Sequence, residues 1–538
     1  MGFSISFRLL VIYVLGVVLV STIPRASGAN FLATLFHPLG QASHNRFVGR
    51  ITAGLMTRGH AVTILVADTY SLKGFDKDTA ATRILTFKTT TSSSGLNNFA
   101  KSMSAIQQND ADMFGMLNLF LDLRDTSLQS CADMFNDRDV MNDLRKQKFD
   151  LLLLEMFVPC DALLAEYLKV PFIVMTSSFR FPAFDEDFFN MEIPSSYVPF
   201  QSMGALTDEM SFAQRVQNFL ERHVIVKLMQ YLNIKPYRKI QLEHKIDTTS
   251  SIRELTGRAE LWLCHIDFAL DFPRPTAPNW KMIAGLTVDA GTKPLAQDLE
   301  AFVEGSGDHG VIVFSLGSTD MNLLSEQMNE DFAQALSELP QRVLWKYDGL
   351  PPRNLGNNTR LMSWLPQRDL LAHPKTKLLI YHGGLAGVYE AMHLQKPMVI
   401  LPLFGDQPAI AARVAKKGMG VVLSKATLSA EVIKSAILQV LIDPSYKANV
   451  EKFGSISKDT IVSPMETAMF WIEHIVNFGG SHLKSRAGEL NIITLNSLDV
   501  IGFLIGIVLI GLYLDFLILR SCYRCCITRN KTRKSKSD

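Results

Sequence analysis

The chain has 538 residues, of which 47% are hydrophobic and 20% charged, so it is long enough to bury the cores of two or more domains. Lys and Arg together number 54 and Asp and Glu 52, a near balance that gives no sign of a nucleic-acid partner. Three of the six cysteines lie close to the C-terminus, so we expect at most one disulfide in the body of the chain. The spacing of the cysteines and histidines along the chain is not typical of a zinc site, and we expect no metal site.

Both ends of the chain carry targeting patterns. Arg8 precedes the apolar run Leu9–Val20, and small residues follow, so residues 1–28 are predicted to be a cleaved signal peptide, with an uncleaved anchor as the alternative. The apolar run Val500–Leu519 is long enough to cross a bilayer once, and the basic residues within 520–538 predict a cytosolic tail. We therefore expect a single-pass type I protein of the endoplasmic reticulum membrane, with its main part lumenal and a Lys-x-Lys-x-x retrieval signal at its end. Asn357 opens the only sequon on the lumenal side, which predicts a glycoprotein.

Residues 29–285 are predicted to form a doubly wound α/β domain. Strand Asn30–Phe36, helix Asn45–Arg58 and strand Ala61–Ala67 follow one another, which indicates a parallel, right-handed unit. Further strands are predicted at Ile84–Phe87, Leu151–Leu154, Phe172–Met175 and Leu261–His265. Their nearly unbroken apolar runs are typical of strands covered on both faces. In such a sheet, ligands bind beyond the carboxyl ends of the strands.

Two side chains suited to acid–base chemistry lie at that edge. His44 follows the first strand, and Glu155 closes the strand that begins near Phe149. A neutral imidazole is the usual general base near pH 7, and a carboxylate beside it fixes its tautomer and stabilises the imidazolium. The alternatives are a residue of the loop before a helix for His44 and a solvated strand end for Glu155, and the residues alone do not decide between them.

Residues 286–475 are predicted to form a second Rossmann-like domain, after a linker at 287–296. Strands are predicted within 311–318 and at Arg342–Tyr347, Leu361–Trp364, Leu378–Tyr381 and Val399–Leu403. Helices are predicted at Ser325–Leu339, Leu385–Leu394, Pro408–Lys417 and Ala430–Leu441. Residues 476–499 are expected to lead back to the membrane, and residues 500–519 to cross it.

The stretch from residue 364 to residue 407 carries the most specific pattern. His382, Gly383 and Gly384 lie between an apolar strand and a helix start, which is the geometry that offers unpaired backbone N–H groups and a positive dipole end to an anion. Around this turn come a flat aromatic face for a base, a carboxylate for ribose hydroxyls and a polar pair for sugar hydroxyls: Trp364, Glu390, Asp406 and Gln407. Together these parts predict a nucleotide-sugar site. The alternative is an ordinary turn of a Rossmann-like domain that binds no nucleotide.

The ordered set closely resembles the signature of the UDP-glycosyltransferases, the membrane-bound family that includes the UDP-glucuronosyltransferases. The resemblance extends over nearly the whole mature chain. It implies the GT-B architecture, in which two Rossmann-like domains enclose a cleft, here with one C-terminal transmembrane helix. It also implies that His44 is the catalytic base and that Glu155 supports it, although many members have Asp at that position.

The resemblance also implies a role for each donor-site residue. Ser318 would touch the phosphate or the sugar, Trp364 would stack on uracil, and Gln367 would contact the base or the ribose. His382 and Gly383 would hold the pyrophosphate, Glu390 the ribose, and Asp406 and Gln407 the transferred sugar. Gly384, Gly387 and Lys346 complete the predicted donor site. Two positions depart from the common pattern: Ala386 removes a donor near the diphosphate, and Lys346 replaces the planar fork of an Arg.

These implications lead to one preferred function and two alternatives. The preferred function is an inverting, metal-independent transfer of a hexose or glucuronosyl group from a UDP-sugar to a hydroxyl of a small lipophilic acceptor, with no cofactor. One alternative is a catalytically weak UDP-sugar-binding partner of active members, suggested by Ala386, Lys346 and Glu155. The other is a lipid-directed galactosyl- or glucosyltransferase. The sequence leaves the sugar, the acceptor and any homo- or hetero-oligomer open.

Overall fold

Two parallel β-sheets covered by helices make up the part of the chain that ends at Lys484 in the computed structural model. The structure describes residues 28–35, 42–90, 113–155, 159–177, 191, 193–200, 206–288, 291–317, 324–403 and 405–534. The predicted signal peptide, except for Gly28, and the last four residues of the predicted retrieval signal lie outside the described residues. Contacts divide the chain into Met1–Lys484 and Ser485–Asp538, and each unit is described by itself.

The first sheet has seven strands in the order β3-β2-β1-β4-β5-β6-β7, and every neighbouring pair is parallel. The strands are β1 (Asn30–Leu35), β2 (Ala61–Ala67), β3 (Arg83–Phe87), β4 (Leu151–Glu155), β5 (Phe172–Thr176), β6 (Leu261–Cys264) and β7 (Trp280–Met282). Strands β4 and β5 are buried along their whole length, as their continuous apolar runs require. The strand order reverses between β1 and β4, so the crevice for a ligand opens there.

The second sheet has six parallel strands in the order β10-β9-β8-β11-β12-β13, with the same winding as the first. Its strands are β8 (Val311–Ser315), β9 (Arg342–Lys346), β10 (Thr359–Met362), β11 (Thr376–Tyr381), β12 (Met398–Ile400) and β13 (Gly420–Val422). The order reverses between β8 and β11, so the turn after β11 lies at the second switch point. The predicted α/β class with two doubly wound sheets is confirmed.

Helices cover both sheets. In the first part of the chain they are α1 (Ala42–Thr57), α2 (Lys77–Ala80), α3 (Met113–Asn136), α4 (Arg138–Lys146), α5 (Pro159–Leu168), α6 (Phe212–Leu220), α7 (Lys227–Ile234), α8 (Tyr237–Glu243) and α9 (Ile252–Thr256). A π-helical stretch, Glu221–Val226, joins α6 to α7. A disulfide between Cys131 and Cys160 joins α3 to α5.

The second part of the chain continues the series. Its helices are α10 (Gln297–Glu304), α11 (Glu326–Ser337), α12 (Gln367–Ala372), α13 (Leu385–His393), α14 (Gln407–Lys416), α15 (Ala430–Ile442), α16 (Pro444–Lys458), α17 (Pro464–Phe478), α18 (Ile492–Leu495) and α19 (Leu498–Lys534). Short 3-10 turns lie at Lys425–Thr427, Ser481–Leu483 and Arg486–Glu489.

The two sheets share apolar contact. One buried cluster includes Trp262 of β6 together with Tyr389 and Met392 of α13 and Ile410 of α14. Helix α17 then packs back on the first sheet, where Met469 joins the cluster formed by β1, α1 and β2. The predicted boundaries between the two domains stay a prediction.

The second unit contains one long apolar helix. Leu498–Cys525, within α19, is 28 residues long, with a mean hydropathy of 2.5 in its most apolar window. It is by length and composition able to cross a membrane, and it contains the predicted segment Val500–Leu519.

Candidate active site

His44 and Glu155 meet at the switch point of the first sheet. His44 lies in the first turn of α1 rather than in the loop that the sequence suggested, and Glu155 is the last residue of β4, as predicted. The Nδ1 atom of His44 is 2.6 Å from Oε1 of Glu155, and both side chains are buried. The residues are adjacent because β1 and β4 are neighbours, although 111 positions separate them along the chain.

A third residue, Ser177, completes this cluster. Its hydroxyl lies 2.7 Å from Nδ1 of His44 and donates a 2.5 Å hydrogen bond to Oε1 of Glu155. Ser177 is not among the residues predicted from the sequence. It directly follows β5, which pairs with β4 so that Met175 lies opposite Glu155, and the strand-end rule that selected Glu155 would have selected it too.

The environment of His44 sets both its pKa and its tautomer. Burial lowers the pKa of His44, but the carboxylates of Glu155 and Asp406 raise it by more, so the net pKa lies above the usual value. An Nδ1–H directed at Glu155 leaves Nε2 as the nitrogen that can accept a proton. The cluster therefore has the arrangement of a base and a supporting carboxylate. The effect of Asp406, which precedes α14, also places a predicted sugar-binding residue within electrostatic reach of His44.

The turn after β11 has the geometry of an anion site. Gly383 adopts φ +91°, a left-handed conformation that favours glycine, and the nine-residue helix α13 begins two residues later. Gly387 lies in the first turn of that helix, and a Cβ there would come within 2.3 Å of Cζ of Tyr381. Glycine at 383 allows the turn, and glycine at 387 lets the helix start pack against Tyr381. The backbone N–H groups of that helix start have no partner within the helix, which is the feature that suits an anion.

His382 is held neutral beside this turn. Burial, and to a lesser extent the charge of Lys346, lower the pKa of His382 to about 3. Lys346 donates a 2.7 Å hydrogen bond from Nζ to the carbonyl oxygen of Gly317, two residues after β8. His382 can therefore offer a phosphate a hydrogen bond but no charge, while Lys346 and the helix dipole provide the positive potential.

The predicted ribose and base residues lie together on the second sheet. Nε2 of Gln367 donates a 2.7 Å hydrogen bond to Oε2 of Glu390, and burial raises the pKa of Glu390. Trp364 is 48% exposed, so its indole ring is accessible for stacking. Side chains from the first half of the chain reach both: Nη1 of Arg46 lies 3.9 Å from Glu390, and Nζ of Lys73 lies 5.8 Å from the ring centre of Trp364.

The remaining predicted residues divide into those that can be placed and one that cannot. Asp406 directly precedes α14 and Gln407 is its first residue; the buried amide of Gln407 accepts a 2.8 Å hydrogen bond from the backbone N–H of Leu403. Gly384 is the residue from which α13 starts. Ser318 lies outside the described residues. The roles assigned to all of these positions stay predictions.

One group of possible metal ligands lies at the opposite edge of the second sheet. Glu300, Glu304 and His373 cluster near the amino end of β11. Nδ1 of His373 accepts a 3.1 Å hydrogen bond from the backbone N–H of Lys375, so Nε2 carries the proton and points at the carboxylates. A metal would need the lone pair of that nitrogen, and this geometry favours a hydrogen bond instead.

Two doubly wound parallel sheets, with the cluster of His44, Glu155 and Ser177 at one switch point and a glycine turn at the other, make up the GT-B glycosyltransferase architecture. The fold is similar to the crystal structure of the glycotransferase of kitacinnamycin, with a TM-score of 0.56 at 16% identity, covering 84% of this chain and 100% of that one. It is also similar to the glycosyltransferase VinC in complex with dTDP, with a TM-score of 0.54 at 15% identity, covering 83% and 99%.

The chain belongs to the family described as UDP-glucoronosyl and UDP-glucosyl transferase, whose sequence profile matches residues 35–534. It is 39% identical over 423 residues to UDP-glucuronosyltransferase 2B14 of Oryctolagus cuniculus, covering 78% of each protein. It is 34% identical over 521 residues to UDP-glucuronosyltransferase 1-2 of Mus musculus, covering 96% of each. The predicted family is confirmed, and the protein is a UDP-sugar glycosyltransferase.

Proposed function

We propose that this protein transfers a glucuronosyl or hexosyl group from a UDP-sugar to a hydroxyl of a small lipophilic acceptor, with inversion and without a metal ion. The observation that carries the proposal is the buried contact of 2.6 Å between His44 and Glu155, beside Asp406. A base held this way can take the proton of an acceptor hydroxyl at the moment when its oxygen attacks.

The proposed reaction is a single displacement. His44 accepts the hydroxyl proton at Nε2, the acceptor oxygen forms a bond to the anomeric carbon, and the bond from that carbon to UDP breaks on the opposite face. Glu155 stabilises the imidazolium that forms. The departing diphosphate carries the negative charge, which the start of α13 and the ammonium of Lys346 would stabilise.

Metal independence is supported by the chemistry of these residues. The positive potential at the α13 turn comes from a lysine and from backbone N–H groups. These can stabilise the negative charge of a diphosphate, as a divalent cation does in other phosphate sites. The Glu300, Glu304 and His373 group lies at the other edge of the sheet and presents a proton where a metal would bind.

One of the reasons for the binding-partner alternative does not hold in the structure. The binding-partner hypothesis was based in part on Glu155, whose side chain is one methylene longer than Asp. Since its carboxylate reaches His44, this substitution gives no reason to expect inactivity. The names of the relatives make UDP-glucuronate the first donor to test, followed by UDP-glucose, UDP-galactose and UDP-N-acetylglucosamine.

We further propose that the protein is anchored in the endoplasmic reticulum membrane by α19, with both sheets in the lumen. The Cys131–Cys160 disulfide fits an oxidising compartment, and Asn357, the sequon residue, is exposed. Digestion with endoglycosidase H should shift the band on a gel to lower apparent mass, and Asn357→Gln should abolish that shift. A wild-type protein that carries no glycan would contradict the lumenal placement.

The catalytic proposal is tested by His44→Ala. We expect turnover to fall by about 10³-fold or more, because the hydroxyl proton has no acceptor, while UDP still binds with its normal affinity. The matched control is His309→Ala, which removes an exposed imidazole and should leave turnover unchanged. UDP release measured with the donor panel and a mixture of lipophilic acceptors, and calorimetry for UDP, provide the readouts. Undiminished turnover in His44→Ala would contradict the mechanism.

A further inference from the structure

The segment after β6, residues 265–274, contacts both halves of the candidate site. Its first residue is bonded to the end of β5, since the backbone N–H of His265 donates a 3.0 Å hydrogen bond to the carbonyl of Thr176. The next residue after Thr176 is Ser177, which contacts His44 and Glu155. The start of the segment is therefore connected to His44 and Glu155 through two consecutive residues, Thr176 and Ser177.

The first link from this segment runs to α13. The hydroxyl of Tyr389 accepts a 2.8 Å hydrogen bond from the backbone N–H of Asp267 and donates one of 3.1 Å to Oδ1 of the same residue. The other carboxylate oxygen of Asp267 accepts from the hydroxyl of Ser457. The oxygen of Ser457 in turn accepts a 2.9 Å hydrogen bond from Nε2 of His393, at the end of α13. Helix α13 is thus attached at its middle and at its end.

The second link runs to α14. Nε of Arg413 donates a 2.8 Å hydrogen bond to Oδ1 of Asp271, and both side chains are at most 2% exposed. Nη1 of Arg413 donates to the carbonyl oxygen of Ala409, which fixes the guanidinium against its own helix. Arg274 lies 3.3 Å from the other oxygen of Asp271. A charge pair this deeply buried tolerates little displacement, because separating it would leave charges without compensation.

The two helices attached in this way are the ones that carry the predicted donor residues. Tyr389 directly precedes Glu390, and α13 begins at the glycine turn that suits a diphosphate. Asp406 and Gln407, the predicted sugar-binding pair, are the residue before α14 and its first residue. A chain of direct contacts therefore joins the base to both donor helices, through Ser177 and Thr176, the 265–274 segment, and then Tyr389 and Arg413.

We propose that residues 265–274 form an interdomain brace, in which Asp267 and Asp271 act as positioning residues that set the distance between the donor sugar and His44. This inference rests on the proposed function. It goes beyond it by assigning a role in geometry to Asp267, Asp271, Tyr389 and Arg413, none of which needs to touch substrate.

The brace predicts a particular kinetic pattern. UDP would be held by residues of the second sheet, which keep their own framework when a brace contact is lost, so UDP affinity should hardly change. The distance from the anomeric carbon to the acceptor oxygen should become less well defined, and small displacements of this kind reduce turnover strongly. A purely structural role would instead lower the melting temperature and affect all properties together.

The test uses two conservative variants of the full-length protein in detergent. Tyr389→Phe removes one hydroxyl, and Arg413→Lys keeps the charge but loses the Nε contact. We expect each to lower kcat by about tenfold or more, with the Kd for UDP changed less than about twofold. The matched controls are Tyr446→Phe and Arg342→Lys, whose hydrogen bonds to Gln439 and to the carbonyl of Phe302 lie within the second half of the chain. Both controls should keep the wild-type kcat.

A second readout does not depend on turnover. UDP binding should slow hydrogen exchange at the backbone amides of residues 265–274 in the wild type, because the brace couples them to α13 and α14. This protection should weaken in Tyr389→Phe and in Arg413→Lys. An unchanged kcat in both variants, or wild-type exchange that does not respond to bound UDP, would overturn the proposal. If the wild type binds UDP but transfers no sugar, the proposed function fails, while the exchange experiment still decides about the brace.

Discussion

His44 and His382 lie at the switch points of the two sheets, His44 after β1 and His382 directly after β11, and their pKa values are shifted in opposite directions. Each belongs to a switch point and each imidazole is enclosed by protein, yet the pKa of His44 is raised and that of His382 is lowered to about 3. The difference comes from their neighbours. Burial lowers the pKa of both imidazoles, but at His44 the carboxylates of Glu155 and Asp406 outweigh it, whereas at His382 the ammonium of Lys346 lowers the pKa further. Topology thus selects the position, and the adjacent charge selects between a proton acceptor and a neutral hydrogen-bond donor.

The strongest way to break this contrast is Glu155→Gln. We expect kcat to fall by about 10³-fold, because the amide neither fixes the tautomer of His44 nor stabilises its imidazolium. The pKa of His44 should fall once the carboxylate is gone. Since His44 is active only when neutral, the acid limb of the pH profile of kcat/KM should move to lower pH in the variant.

The control for this variant is Glu326→Gln, an exposed carboxylate that contacts Arg353 far along the chain from the base. It should leave both the rate and the pH profile unchanged. An acid limb that stays at the wild-type pH in Glu155→Gln would show that His44 does not define it.

A smaller effect is expected on the other side of the comparison, from Lys346→Met. The substitution removes the charge that faces His382 while retaining an apolar stem, so UDP should bind about tenfold more weakly. The pKa of His382 should rise, because only burial then opposes its protonation. Calorimetry with UDP measures the first effect and NMR titration of the imidazole the second; UDP affinity equal to that of the wild type would remove Lys346 from the donor site. Lys434→Met, which breaks an exposed ion pair with Glu338, is the control.

The smallest effect should come from Ser177→Ala. The hydroxyl supports the contact between His44 and Glu155 without replacing it, so we expect kcat to fall only by about threefold to tenfold. Ser337→Ala removes an exposed helix hydroxyl that bonds the carbonyl of Gln334 and serves as the control. A loss as large as that of Glu155→Gln would mean that Ser177 takes part in the proton transfer, rather than only in holding its partners.

Local patterns made much of this architecture predictable. The predicted strand Ala61–Ala67 coincides with β2, and the predicted helix Leu385–Leu394 ends one residue beyond α13. Such elements are visible because a strand buried on both faces needs a continuous apolar run, and the turn after it needs glycine. Predictions were less accurate at strand ends without that support: Trp364 was expected to close a strand, but β10 ends at Met362.

By itself, the sequence determined two doubly wound sheets, the apolar C-terminal helix, the family and the placement of His44 and Glu155 near the first switch point, because each depends on short runs and spacings. Only the tertiary structure decided what lies beside these residues. Ser177 in the base cluster, the neutral state of His382 and the links from Asp267 to Tyr389 and from Asp271 to Arg413 join residues that lie far apart along the chain. Pairs of that kind leave no periodic signal, since their positions follow from how separate strands and helices pack.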